Sequence, residues 1–156
     1  MRWMQMSLVF LLGALVALAL TAFAWDVRVS HEHSAGSETV SRVLSRADTP
    51  FRKAPSGKAR IGLLGQGHNA FLGELHLAAG AKVPSHRDAT EEYIHVLKGS
   101  GMVYIEGKAH PVGPGSTIVM AADAEVRFEN GTEDLVGIQV FAGPAPALKY
   151  GSWLEE

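Results

Sequence analysis

The sequence contains no cysteine. Disulfide scaffolding, thiolate metal ligation and thiol nucleophiles are therefore all excluded, and cysteine usage says nothing about compartment. It also lacks any block of like charge: 14 Lys and Arg stand against 16 Asp and Glu, interspersed, for a formal net charge of −2. A nucleic-acid partner needs a basic face and none is present, nor is there an acidic tail. No segment repeats at a fixed period, and no long stretch carries the 3.6-residue apolar period of an amphipathic helix. βαβ folds drop out on these grounds, and a single unit is expected instead of a duplicated one. What remains is one domain, with 156 residues and 47% apolar content supplying enough for a core.

One long apolar run is present. It extends from Leu8 to Ala24, broken only by Gly13 and Thr21, with Arg2 as the positive charge ahead of it. It closes on Ala22-Phe23-Ala24, a small-x-small pattern, and polar sequence starts at Trp25-Asp26. This reads as a secretory signal peptide over 1–24, cleaved after Ala24. The competing reading is an uncleaved membrane anchor formed by 8–24, and about 17 residues is the short limit for spanning a bilayer. The expectation is export, periplasmic or extracellular, with no stable membrane span after cleavage.

Residues 25–58 form a less regular segment with Pro50, Pro55, Gly36 and Gly57. Val40, Val43 and Leu44 after Ser37 are spaced for one short helix. His31 and His33 could clamp a metal, but nothing nearby orders them, so a solvated linker is the expectation. From Arg60 the pattern changes to short β-rich runs: 60–64, 70–77, 93–97, 102–105, 117–120, 126–129 and 135–141. Turn residues separate them, among them Gly65-Gln66-Gly67, Gly99-Ser100-Gly101, Gly113-Pro114-Gly115 and Asn130-Gly131. Such spacing predicts an all-β sandwich or closed barrel. A C-terminal tail, 145–156, follows.

Chemistry concentrates in Gly80–Gly99. His86 and Asp88 are two apart, so on a strand they share a face. A tight hairpin would lay Glu92 across from them, converging one imidazole and two carboxylates inside the barrel. That set suits a divalent metal of intermediate to hard character; it is equally a buried, proton-sharing hydrogen-bonded cluster. Alternation turns Glu91 away from Glu92, towards solvent, and puts His95 on the outer face. Glu74 and His76 share a face opposite Phe71, Leu75 and Leu77, as an outer pair or lining the pocket. Glu125 beside Val126 points the wrong way to join the cluster.

Gly80, His86, Glu92 and Gly99 stand in the register of the first motif of the cupin superfamily: glycine, five residues, His-x-His, three or four residues, Glu, six residues, glycine. Pro114, Gly115 and Asn130 match the second motif more loosely. The chain thus resembles a small single-domain cupin over Ala59–Pro144, which implies one jelly-roll barrel over 59–144 after the signal peptide and irregular segment. The resemblance also implies a homodimer and a metal set of three His and one Glu. Two departures stand out: Asp88 replaces the second His, and Val126 sits where the third His belongs, four before Asn130. His86, Asp88 and Glu92 are the candidate metal ligands, the metal's identity is open, and no catalytic residue is assigned. Two function classes follow: a non-catalytic barrel binding a small ligand or a protein partner in the envelope, with or without a divalent metal, or a metal-dependent dioxygenase, isomerase or lyase on a small molecule.

Overall fold

The computed structural model describes residues 41–156. The expected signal peptide, its cleavage site, His31 and His33 lie outside the described residues. Residues 41–45 carry no helix; Ser45 instead caps a single 3-10 turn, Arg46–Asp48, by accepting from the Ala47 amide. Val43 is almost wholly exposed, so the described end of that helical spacing has no surface to bury against; Ser37 and Val40 lie outside the described residues.

Among the described residues, eleven strands build two antiparallel sheets. In chain order they are β1 (Phe51–Lys53), β2 (Ala59–Gln66), β3 (Phe71–Leu77), β4 (Lys82–His86), β5 (Glu92–Lys98), β6 (Gly101–Ile105), β7 (Lys108–Val112), β8 (Thr117–Met120), β9 (Val126–Asn130), β10 (Leu135–Phe141) and β11 (Leu154–Glu155). The larger sheet runs β11-β1-β2-β3-β10-β5-β8 and the smaller β4-β9-β6-β7. The all-β reading holds, and seven of the strands coincide with the apolar runs.

Strands β3 and β10 show why the sheets face each other. Phe71, Gly73, Leu75 and Leu77 of β3 are buried, with Leu72, Glu74 and His76 between them more exposed. In β10, Leu135, Gly137, Gln139 and Phe141 are buried in the same two-residue rhythm. Both strands belong to the larger sheet, which therefore has one face that must leave water, and β9 of the smaller sheet keeps the same rhythm with Val126, Phe128 and Asn130 buried. The inward faces share one core, which includes Ile61, Phe71, Val96, Val103, Phe128 and Phe141. Burying each of the large side chains contributes about 1.5–3 kcal/mol. The two motif glycines that flank the site sequence adopt left-handed backbone, φ +64° at Gly80 and +79° at Gly99. At Gly99 an added Cβ would also stand 2.5 Å from the Asp134 carbonyl oxygen, so both conformation and space require glycine there.

Strands β1, β4, β7 and β11 are not among the apolar runs. β7 reads Lys-Ala-His-Pro-Val and is mostly exposed, an edge strand with a proline. β1 and β11 are short and pair with each other at the edge of the larger sheet, Arg52 opposite Glu155.

Candidate functional site

His86 ends β4, and Glu92 begins β5. These strands do not form the expected hairpin: β4 belongs to the smaller sheet and β5 to the larger. Residues 87–91 cross from one sheet to the other, because β4 pairs only with β9 while β5 is sandwiched between β10 and β8. Asp88 correspondingly lies in the crossing loop, beyond the strand it was expected to share with His86. Convergence is reached from opposite sheets instead of across one turn. His86, Asp88 and Glu92 each offer a ligand atom, and the three atoms lie within 4.8 Å of one another.

The loop is held from outside. Arg87 spreads its guanidinium over Glu106 Oε1 (3.4 Å) and Glu125 Oε2 (3.2 Å), and donates to the Asp123 carbonyl. The Asp123 amide in turn donates to the Asp88 carbonyl at 2.8 Å. With Arg87 bound on the outer surface, its neighbour Asp88 points inward. Glu125, set aside as a ligand on alternation, is engaged there with Arg87 and Ser85.

The His86 ring is oriented by its own strand. Nδ1 lies 2.9 Å from the Pro84 carbonyl. A carbonyl only accepts, so Nδ1 carries the proton and a neutral ring presents a bare Nε2. That Nε2 stands 3.8 Å from Asp88 Oδ2. Glu92 is buried and accepts from Gln139 Nε2 at 2.5 Å; Gln139 Oε1 accepts from the Tyr150 hydroxyl at 2.7 Å. The amide thus reads one way only, relaying phenol to carboxyl. Burial pushes the Glu92 carboxyl above its ordinary value, reinforced by Asp88 and opposed by Gln139, Lys149 and His86. Burial likewise raises the Tyr150 phenol, with Glu92 adding to it.

This polar set lines part of a cavity of about 410 Å³ whose other walls are mostly apolar, among them Leu75, Val96, Ile118, Val126 and Phe128. Such a volume is in the range of small-molecule sites. Val126 is 7% exposed, lines the cavity and is the direct cross-strand partner of His86. The apolar residue in the motif's third-histidine position therefore faces the polar set.

Other candidates sort away from it. Glu74 and His76 lie on the outer face, bonded to each other at 2.6 Å, with Arg46 on Glu74. His95 is exposed and paired with Thr117; Glu91 is exposed and accepts from Tyr93. Asn130 serves the fold and not the cavity, since its buried amide nitrogen lies within 3.2 Å of the Leu77, Ala78 and Glu133 carbonyls. Gln139, Lys149 and Tyr150 were not among the sequence candidates. Gln139 had a legible signal, a polar residue on the inward phase of β10. Lys149 and Tyr150 had none.

Two facing antiparallel sheets enclose a cavity lined in part by an imidazole and two carboxylates, the architecture of a small β-barrel with a candidate ligand or metal site. The family model for the cupin domain matches residues 73–141. No curated protein matches it by sequence. Among solved structures, it is similar to an RmlC-like cupin from Shewanella frigidimarina, with 15% identity, 67% of this chain and 92% of that one covered, and a TM-score of 0.61. A predicted oxalate decarboxylase from Thermotoga maritima shares 22% identity over 65% of this chain and 99% of its own, TM-score 0.59. A sugar phosphate isomerase of the cupin superfamily from Silicibacter pomeroyi shares 16% over 65% and 75%, TM-score 0.57.

Proposed function

We propose that this protein is an exported cupin that holds a small organic molecule in its barrel, with the ligand's polar group against His86, Asp88, Glu92 and Gln139. The observation that carries this is the cavity of about 410 Å³, mostly apolar apart from that polar set. A barrel kept only for structure would fill its interior with apolar side chains at smaller desolvation cost.

The same polar set fits a divalent ion by donor chemistry, one imidazole nitrogen and two carboxylate oxygens. His86, Asp88 and Glu92 would hold it, and a bound ion would polarise an oxygen of the ligand as a Lewis acid. The protein's own groups do the rest. The Pro84 carbonyl fixes the His86 tautomer, Gln139 orients Glu92, and the apolar walls keep water from the ligand. A second reading, a metal-dependent enzyme, is favoured by the buried Glu92 carboxyl. Gln139 engages only the Glu92 Oε1, which leaves Oε2 for an ion held together with His86 and Asp88. Two of the structural relatives carry enzyme descriptions.

Thermal shift with a panel of small hydroxy acids, phenols and sugar phosphates tests the binding reading. A ligand at 100 times its Kd stabilises by about 2.7 kcal/mol. Val126→Phe, which puts a ring into the cavity beside His86, should reduce the shift. A shift undiminished by Val126→Phe would move the ligand elsewhere.

Export predicts that envelope-derived protein has the intact mass of a chain starting at Trp25; a full-length mass in the membrane fraction would support the anchor instead. Pairing into a homodimer is supported by an apolar row on the outer face of the larger sheet. Leu72, Val140, Tyr93 and Val119 are successive cross-strand partners there, with Leu72 and Val119 exposed. Light scattering should give a dimer mass that Val119→Lys reduces to a monomer.

A further inference from the structure

The C-terminal 3-10 segment Ala145–Ser152 lies outside both sheets, yet it delivers a cation to the site. Lys149 Nζ stands 3.0 Å from Asp88 Oδ2 and 3.4 Å from Oδ1. It also lies 4.8 Å above the Phe141 ring. The segment's position is fixed by its neighbours: Ala147 and Tyr150 are buried, the Tyr150 hydroxyl is bonded inward, and Tyr150 packs edge-on against Trp153 at 4.9 Å. Among the described residues, no other lysine or arginine bonds to His86, Asp88 or Glu92.

We propose that Lys149 is the built-in counter-cation of the His86–Asp88–Glu92 set, occupying the Asp88 oxygens that a divalent ion would use, so that a metal enters only by displacing it. The proposal rests on the reading of these three residues as a metal site. One ammonium within reach of both Asp88 oxygens does for that carboxylate what a metal would do: it supplies donors and neutralises charge. Ammonium and dication repel at such range, so they cannot share the carboxylate without loss. Val126 offers no ligand to offset that loss. Lys149 side-chain exposure of 39% leaves the ammonium a path to water when it is displaced. Lys149 is thus a specificity-determining residue, tuning the barrel against adventitious metal and towards ions bound strongly enough to expel it.

Calorimetric titration of the metal-stripped protein with Zn²⁺ tests this, comparing wild type, Lys149→Met and Lys149→Met/Asp88→Ala. Methionine keeps an apolar stem over Phe141 and removes the charge. Lys149→Met should bind at least tenfold more tightly, which is about 1.4 kcal/mol, and the double variant should lose that gain. Without metal, Lys149→Met should melt below wild type, and with saturating Zn²⁺ the order should reverse. Should Lys149→Met fail to fold, Lys149→Gln provides the same comparison. Equal Zn²⁺ affinity in wild type and Lys149 variant would overturn the counter-cation role and leave the metal site standing. Absence of Zn²⁺ binding in both would remove the metal site and the counter-cation role together.

Discussion

Replacing Val126 by histidine is the sharpest test of whether the site is a metal site short of one ligand. Val126 is the cross-strand partner of His86 on the β4–β9 pair. Direct partners hold their Cβ atoms about 4.5–5.5 Å apart, close enough for two imidazoles to reach one ion. Position 126 is 7% exposed and faces the cavity, so the new ring points towards the set instead of solvent. Two opposite effects follow. In metal-free protein, a buried imidazole without a partner replaces a packed isopropyl group and costs about 1–3 kcal/mol of stability. With metal, a fourth ligand is added to three atoms already within 4.8 Å of one another. One added ligand bond should exceed about 1.4 kcal/mol, tightening zinc or nickel binding tenfold or more. Calorimetric titration measures the gain, and urea denaturation with and without metal measures the crossover. His86→Ala in the same background should erase the gain. Unchanged affinity in a folded Val126→His protein would refute the placement of this side chain against the set. A parent that already binds tightly, and loses the ion on Asp88→Ala, would show that three ligands suffice.

Tyr150→Phe should cost about 1–3 kcal/mol in urea denaturation, because it leaves the buried Gln139 Oε1 without its donor; no change would mean that the relay to Glu92 is not structural. In chelated buffer, the raised Glu92 pKa means that the native state binds this proton more tightly than the unfolded chain does. Its contribution to stability is therefore full below the ordinary carboxyl pKa of 4.5 and is lost as pH rises through the raised value. Glu92→Gln should flatten that part of the urea-midpoint profile, and an unaltered profile would assign the slope to other groups. Gly101→Ala should destabilise by about 1–3 kcal/mol, since its Cβ would meet the Phe128 ring at 2.4 Å and the Glu129 carbonyl oxygen at 2.7 Å; a neutral result in thermal melts would show that Phe128 yields into the cavity.

Much of the barrel was legible in the sequence. Strands with a two-residue burial rhythm, such as β3 and β10, announce themselves because one face must be apolar whatever the partner. Gly80 and Gly99 were legible as motif positions, and the backbone they adopt explains why a side chain there is disfavoured. The exposed strands were not legible. β4 and β7 bury too little to leave an apolar pattern, and their pairing is decided by the sheet they complete.

The residue types at the site were also present in the sequence: His86, Asp88, Glu92 and the anomalous Val126 all follow from local spacing and resemblance. How they meet did not follow. A hairpin and a sheet-to-sheet crossing carry the same five intervening residues, and only the competition between pairing partners, β9 for β4 and β10 with β8 for β5, selects the crossing. Contacts that depend on distant segments were invisible for the same reason. Lys149 is 61 residues from Asp88 and Tyr150 is 11 from Gln139, and no periodicity links them. Short-range pattern records which faces must leave water. Which charges then face one another in the enclosed space is decided only once both sheets and the C-terminal segment have packed.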